Sequence, residues 1–226
     1  FNVKAVLVDG IGQTLEATKQ FYGMMNIDPY VVQLSSSPTA RTTSVKLTGV
    51  DSGQSVDVNW GDGAVETITA AIGKTITHTY ATDGKYQAKF YISGEVATLE
   101  HNPTGTEPAI LESVISWGNV GVKGFRLSNC TGLTSVPIVA PTFINTMEAM
   151  FKGCTNFNGN IAGWYVGNVT SFKDVFKDAS TFNQSIGSWT VTNATTFESM
   201  FENAIAFNQY IINWKTLNAT TLKNMF

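Results

Sequence analysis

The residues that could carry acid–base or metal chemistry in this chain are few and lie far apart. His78 and His101 are its two histidines, and neither stands beside a cysteine or an acidic cluster in the sequence. A structural histidine at a strand end is the simpler interpretation of His78. Asp57, Asp62 and Asp83 could offer oxygen ligands to Ca²⁺ if their loops converge, but they lack EF-hand spacing. With no Ser/His/Asp set and no glycine-rich phosphate loop visible, the sequence predicts no enzyme, no bound metal and no cofactor.

The composition limits the partners that the chain could have. Of its 226 residues 43% are hydrophobic and 14% are charged, which is enough apolar material for a sizeable core. The net charge of −3 and the lack of a Lys/Arg cluster argue against a nucleic-acid partner. No run of 18 apolar residues occurs, so we expect no membrane insertion. The length favours two domains over one.

The C-terminal half contains a sequence repeat with a period of 25 residues. Such a period marks units that stack on one another, because one unit cannot bury its apolar face alone. Three columns of residues recur at this interval and form the predicted core of the repeat: Phe157, Phe182 and Phe207; Asn158, Asn183 and Asn208; Trp164, Trp189 and Trp214.

Each repeat is predicted to combine a short helix with a short strand. Phe172, Val175 and Phe176 have the i, i+3, i+4 spacing of an apolar helix stripe. Thr170 lies two residues earlier, where its hydroxyl could cap the helix. The Asn- and Gly-rich part that leads to each Trp favours a strand and a turn. An Asn at that turn could satisfy backbone groups that no ladder reaches, and a polar ligand-binding stripe is the alternative.

The two cysteines fall at equivalent repeat positions. Cys154 aligns with Ala179 and Ala204, and Cys130 fits the same position one repeat earlier. One interpretation is a small buried residue in each repeat. The other is a disulfide between neighbouring repeats, which requires converging side-chain vectors. Two cysteines without a histidine cluster give no zinc signature.

Residues 41–100 show short alternating segments separated by turn signals, the pattern of an antiparallel β-sandwich. One group of residues within them resembles the polycystic-kidney-disease (PKD) domain, an immunoglobulin-like β-sandwich of extracellular proteins. The resemblance is carried by Trp60, Gly61, Asp62, Gly63, His78 and Tyr80. In that resemblance Trp60 belongs to the core, and the glycines and Asp62 form the turn.

Residues from about 117 to 226 resemble the BspA-type leucine-rich repeats of bacterial surface proteins. The segment that carries the resemblance begins at Phe182-Asn183-Gln184 and runs through Trp189 to Met200-Phe201. The resemblance implies cell-surface exposure and adhesion, and similar repeats occur in phage virion proteins. The predicted fold is therefore a β-sandwich (immunoglobulin/PKD-like) followed by an α/β leucine-rich-repeat-type solenoid with repeats of about 25 residues.

The chain is expected to divide into four segments. Before the sandwich, Val3–Val8 and Tyr30–Leu34 favour strands, and Thr14–Met25 favours a short helix. Because the last repeat stops inside a predicted helix without a polar cap, we expect a longer polypeptide. The segments are residues 1–40, an N-terminal connector or docking arm; 41–100, the β-sandwich; 101–123, a linker and the start of the array; and 124–226, the repeats.

The predicted function is that of a non-enzymatic extracellular protein that binds a receptor or ligand at a bacterial cell surface or virion surface. The alternative is a structural component of a phage virion, such as a tail fibre or capsid decoration, or of another surface assembly. The expected partners are a protein or glycan on a cell surface, or neighbouring subunits. Because tyrosine combines apolar area with a hydroxyl, recognition is expected on the strand side of the repeats, around Tyr165, Thr190, Tyr210 and Lys215.

Overall fold

The structure is a computed structural model that describes residues 2–8, 14–20, 28–39, 41–50, 55–69, 73–101 and 110–226. Within those ranges the regular elements are strands, and no helix is present. The strands are β1 (Asn2–Val8), β2 (Thr14–Gln20), β3 (Tyr30–Ser36), β4 (Thr42–Val50), β5 (Ser55–Asn59), β6 (Val65–Thr69), β7 (Thr75–Thr79), β8 (Gly84–Ile92), β9 (Glu95–His101), β10 (Ile110–Ser116), β11 (Gly121–Val122) and β12 (Phe125–Arg126).

The N-terminal strands β1 and β2 form a separate two-stranded antiparallel sheet. The helix predicted from Thr14 is wrong, because Thr14–Gln20 is a strand. The register pairs Ala5 with Ala17 and Leu7 with Leu15. The rest of that predicted helix, residues 21–25, lies outside the described ranges.

Two larger sheets are compatible with the predicted β-sandwich. The first has the strand order β10-β3-β8-β5-β6, and the second has β11-β9-β4-β7 with β12 also paired to β9. Alternation along the strands puts Val56 and Val58 of the first sheet into the core, and Leu47 and Leu99 of the second. Rings from both sheets meet there, as in the contact of Tyr30 with His101 at 5.8 Å between centroids.

The second sheet continues directly into the repeat region. Both β11 and β12 pair with β9 in parallel. A parallel bridge also joins Ser113 of β10 to Ser135, and the Val114 N–H donates to the Ser135 carbonyl at 3.0 Å. The sandwich core and the repeat core are therefore one apolar cluster.

Stacked turns build the repeat region. We call each unit a rung, starting at the residues joined by parallel bridges, Thr146, Ser171, Thr196 and Thr221. In the first half of a rung, every second N–H donates to a carbonyl of the following rung. In the rung that starts at Thr146 these bonds are Met147 to Ser171 (3.0 Å), Ala149 to Lys173 (2.9 Å), Phe151 to Val175 (3.0 Å) and Gly153 to Lys177 (2.7 Å).

The intervening N–H groups close turns within the rung. Met150 donates to Met147 at 3.0 Å and Cys154 donates to Phe151 at 3.1 Å. Such turns need left-handed residues at fixed points, and Ala149 and Gly153 have φ of 55° and 68°. Gly153 also has no room for a side chain, because a Cβ would meet the Asn129 side chain.

These turns explain why the predicted helix is wrong. A turn closed between residues i and i+3 repeats the spacing of a helix stripe. Phe172 and Val175 are such a pair, since the Val175 N–H donates to the Phe172 carbonyl at 3.4 Å. The Thr170 hydroxyl does not cap a helix but donates to the Asn145 carbonyl at 3.3 Å. The α/β leucine-rich-repeat-type solenoid is therefore wrong, and the described residues form an all-β protein with stacked turns.

The buried His101 predicts an acid-sensitive stability. Burial lowers its pKa from 6.5 to about 4. As the pH falls, the imidazole is therefore protonated in the unfolded chain at a pH at which it is still neutral in the folded chain. The contribution to stability is complete above pH 6.5 and decreases as the pH falls towards 4. Over that window the free energy of unfolding should fall by about 3 kcal/mol more than in His101→Phe.

Urea unfolding of both chains at pH 7, 5 and 4 measures this difference. Carboxylates titrate in both proteins, so the comparison isolates the imidazole. An equal loss of stability in the two chains would show that His101 is not held neutral by the fold.

Candidate binding surface

Residues Trp60 to Gly63 form a tight turn between β5 and β6. Gly61 and Gly63 have φ of 86° and 99°, a region that glycine enters without strain. The Asp62 carboxylate accepts the Ala64 N–H at 3.0 Å, as aspartate does in many turns. A Cβ at Gly61 would lie 2.6 Å from the Gln87 carbonyl oxygen, so the turn packs closely on β8.

His78 links this turn to β7. Its ring stacks on Trp60 at 4.8 Å, and its Nε2 lies 2.8 Å from Asp62 Oδ2. Although burial acts to raise the pKa of Asp62, the Ala64 N–H and His78 lower it, and the net shift is downward. The Tyr80 hydroxyl donates to the Trp60 carbonyl at 3.1 Å. These contacts hold the turn against β7 and account for His78 as a structural residue.

The aspartates considered for calcium each have another environment. Asp83 pairs with Arg41 at 2.9 Å, and Asp62 is bound to His78. Asp57 lies opposite Thr67 in the β5–β6 register. Within the described ranges, no group of three or more His, Cys, Asp or Glu residues is placed to hold a metal ion.

The Trp column connects successive rungs through its indole N–H groups. Trp164 and Trp189 are buried, and Trp214 is partly buried. Each indole reaches back to a carbonyl of the preceding rung, which satisfies a polar group that burial would otherwise leave unpaired. The bonds run from Trp164 to Pro137 (3.0 Å), from Trp189 to Ile161 (3.1 Å) and from Trp214 to Ile186 (3.1 Å).

The Asn column also connects rungs. Asn158 Oδ1 accepts the Asn183 N–H at 3.0 Å, and Asn183 Oδ1 accepts the Asn208 N–H at 2.9 Å. Glutamines add a second donor, since Gln184 Nε2 reaches Asn158 Oδ1 at 3.0 Å. These oxygens are occupied by the next rung, so the column stabilises the stack. A ligand-binding stripe would need the same oxygens.

Charged side chains pair between rungs on the stacked-turn face. In the pair of Lys177 and Glu202, the hydrogen bond raises the pKa of the lysine and lowers that of the glutamate. A single exposed ion pair contributes little to stability. Together, however, these pairs determine which charged residue of one rung lies opposite which residue of the next. The pairs are Arg126–Glu148 (2.9 Å), Lys152–Asp174 (2.8 Å), Lys173–Glu198 (3.3 Å) and Lys177–Glu202 (2.8 Å).

The four predicted binding residues are exposed. Tyr165 is 69% exposed and Tyr210 is 91% exposed, and Thr190 and Lys215 are exposed as well. Tyr165, Thr190 and Lys215 occupy one repeat position, directly after each Trp, so they form a row along the rungs. Tyr210 occupies another position, directly before Ile211. The Tyr165 ring lies over Gly167, where a Cβ would approach its hydroxyl to 2.7 Å.

The two cysteines are buried and free. Cys154 donates its S–H to the Leu127 carbonyl at 3.0 Å. Burial raises the pKa of Cys154 to about 12 and also raises that of Cys130. Because the thiolate is the reactive form, both thiols are inert at neutral pH. The structure therefore shows small buried residues and no disulfide.

An exposed groove of mixed polarity was not anticipated from the sequence. Ile138 and Val139 are 72% and 69% exposed. Val139 and Ile115 line this groove together with polar residues such as Asp28 and Asn119. The available signal was an apolar stretch between two prolines that departs from the 25-residue pattern.

Comparison with known proteins finds a match for only part of the chain. Residues 136–226 match a family described as "Mycoplasma protein of unknown function, DUF285". No curated protein and no solved structure matches the chain. This match and the helix-free described residues overturn the identification as BspA-type leucine-rich repeats preceded by a PKD-like domain. The terms leucine-rich repeat and solenoid do not apply. No helix in the described ranges is long and apolar enough to cross a membrane.

The Trp column predicts a graded loss of stability on substitution. Trp189→Ala should lower the free energy of unfolding by about 3–5 kcal/mol, the usual loss for a buried large aromatic. Trp189→Phe should lower it by about 1–3 kcal/mol, because a smaller ring remains while the indole bond and part of the buried volume are lost. In either variant the Ile161 carbonyl still accepts the backbone N–H of Trp164, at 3.1 Å.

Denaturant unfolding measures both losses, with Tyr165→Ala as the control. That exposed position should change stability by less than about 0.5 kcal/mol. A loss below about 1 kcal/mol for Trp189→Ala would mean that the indole is not part of the core.

Proposed function

We propose that this protein is a non-catalytic binding module that presents the row of residues after each Trp to a protein or glycan on a cell surface. The observation that carries the proposal is the exposure of Tyr165, 69% of its surface, although rungs lie on both sides of it. A large aromatic side chain left in solvent on a packed scaffold is typical of an interface anchor.

The repeat columns differ in whether they bond a neighbouring rung, and this difference supports the proposed binding row. The Trp, Asn and charged columns each bond a neighbouring rung. Thr190 and Lys215, in the row after Trp, are exposed. Substitution in this row therefore leaves the inter-rung bonds described above in place. A rigid scaffold with a variable exposed row suits recognition, because the side chains lose little freedom on binding.

A non-enzymatic role is part of the proposal. His78 is held by Asp62 and Trp60. Burial keeps His101 neutral and raises the pKa of both thiols. We therefore assign His78, His101 and the two cysteines to the stability of the fold, with His101 neutral and both thiols protonated. An extracellular location, at a bacterial cell or virion surface, also belongs to the proposal.

A structural role in a larger assembly is the second candidate. It is favoured by a different observation, the exposed apolar side chains of Ile138 and Val139 beside a groove. Contiguous exposed apolar surface commonly marks a protein–protein contact.

Binding to intact cells and to an immobilised glycan panel tests the first candidate. The labelled chain is compared with Tyr165→Ser/Lys215→Glu, which changes the exposed row at two rungs. The double variant should lose about tenfold or more in apparent affinity, roughly 1.4 kcal/mol. We avoid reversing Lys152 or Lys177, because both are in ion pairs between rungs.

The matched control is Tyr91→Ser, which removes a tyrosine that is 38% exposed on the sandwich. It should bind as the unmodified chain does, and thermal melting should show that all variants fold. Unchanged binding of the double variant, equal loss in Tyr91→Ser, or no binding by the unmodified chain would contradict the proposal.

A further inference from the structure

The outer face of the first sheet contains a polar groove of about 620 Å³, a volume common for small-ligand sites. We call it the sheet groove. The register pairs Gln33 of β3 with Gln87 of β8, and Asn59 of β5 with Lys89 of β8. Gln87 and Lys89 flank the buried Ala88, so both lie on the outer face. The four side chains therefore form one polar patch, and the lining is completed by Lys85, Gly61 and Gly63.

The glycine turn after β5 forms one wall of the sheet groove. Gly61 packs so closely on the Gln87 backbone that a Cβ would not fit. Gly63 has open space where a side chain would lie, so a ligand could approach its backbone closely. The contact of Asp62 with His78 holds this turn against β7. The wall is therefore formed before any ligand binds.

The hydrogen bonds already made determine which atoms of the groove remain for a ligand. Gln33 Nε2 donates to backbone carbonyls of β3 and β8 at 3.2 and 3.1 Å, which leaves its Oε1 as an acceptor. Asn59 Oδ1 accepts the Gly61 N–H at 2.9 Å, which leaves its Nδ2 as a donor. Among the described residues, the Gln87 side chain has no partner, so its amide can both donate and accept.

One lysine of the groove has no counter-charge. Lys85 pairs with Glu112 at 2.8 Å. Lys89 is partly buried and forms no ion pair within the described part of the chain, although Asp57 lies nearby on β5. Of the described residues that line the groove, none is acidic. An anionic group beside Lys89 would therefore gain a charge-assisted hydrogen bond without displacing an existing one.

We propose that the sheet groove binds a saccharide unit that contains a carboxylate, of the hexuronic or sialic acid class. The carboxylate binds Lys89 Nζ, and the ring hydroxyls bond the three amides. Hydroxyl groups donate and accept, so they match the Gln33 oxygen and the Asn59 nitrogen together. A fully ionised phosphate has no proton to donate to the Gln33 oxygen. This site is on the sandwich and is independent of the row after each Trp.

Titration of the isotope-labelled full chain with methyl glucuronide and with the methyl glycoside of N-acetylneuraminic acid tests this site by NMR. Methyl glucoside is the neutral probe, since it differs from the glucuronide only at the carboxylate. The amide signals of Gln87, Lys89 and the Gly61–Gly63 turn should shift. The glucuronide or the sialoside should bind about tenfold more tightly than the glucoside.

Substitutions separate the two parts of the recognition. Lys89→Gln should reduce the affinity for the acidic saccharides to that for the glucoside, and leave the affinity for the glucoside unchanged. Gln87→Ala should weaken all three probes alike, because it removes a partner of the hydroxyls. The matched control is Lys46→Gln, at an exposed lysine of β4. Both it and Tyr165→Ser/Lys215→Glu should bind as the unmodified chain does, and thermal melting should show that every variant folds.

Several results would overturn the proposal. They are the absence of shifts with both acidic saccharides, equal affinity for the acidic and neutral probes, unchanged binding by Lys89→Gln, and an equal loss in Lys46→Gln. Displacement of the bound saccharide by an equal concentration of inorganic phosphate would show a site for simple anions instead. The same displacement by a glutamate-rich peptide would show a site for acidic peptides.

Discussion

The backbone hydrogen bonds between rungs are the constraint on which the repeat region depends. Every second N–H in the first half of a rung donates to the next rung, as in the bond from Phe176 to Met200 at 2.9 Å. Buried backbone groups must find partners, and here those partners lie about 25 residues away. The side-chain columns follow from this register, because it brings identical positions into contact. Phe157 and Phe182 stack with 6.0 Å between ring centroids as a result.

This dependence also explains how the two halves of the molecule are joined. The second sheet extends into the first rungs through β11 and β12, so the sandwich covers one end of the apolar stack. His101 and Cys130 lie at that boundary, where the thiol faces the His101 carbonyl at 3.9 Å. An ionised group at this point would have no compensating charge among the groups that the structure places there. Protonation of His101 or ionisation of Cys130 would therefore destabilise the fold.

Part of this architecture could be predicted from the sequence, and the limits have physical causes. The period, the burial of Trp189 and the turn at Gly61–Gly63 follow from the spacing and type of residues. The helix at Phe172 does not, because turns closed three residues apart give the same apolar spacing as a helix. The decisive positions are left-handed residues such as Asp174 and Ser199, with φ of 57° and 52°. Neither is a glycine, so the sequence gives only a weak signal for them.

The exposed row could also be predicted from the sequence, since Tyr165, Thr190 and Lys215 vary beside invariant tryptophans. The groove lined by Ile115 and Val139 could not be predicted, because it lies between β10 and the segment that follows Pro137. Those two segments have unrelated local patterns. A pattern within either segment therefore carries no information on the surface that they form together.

The most direct test of the account is the measurement of scalar couplings through hydrogen bonds by NMR in isotope-labelled protein. Stacked turns predict a coupling from the amide nitrogen of Phe176 to the carbonyl carbon of Met200, and another from Asp174 to Glu198, matching bonds of 2.9 Å in both cases. A helix would instead couple Phe176 to Phe172, four residues earlier. Observation of that local coupling without the coupling to Met200 would contradict the account.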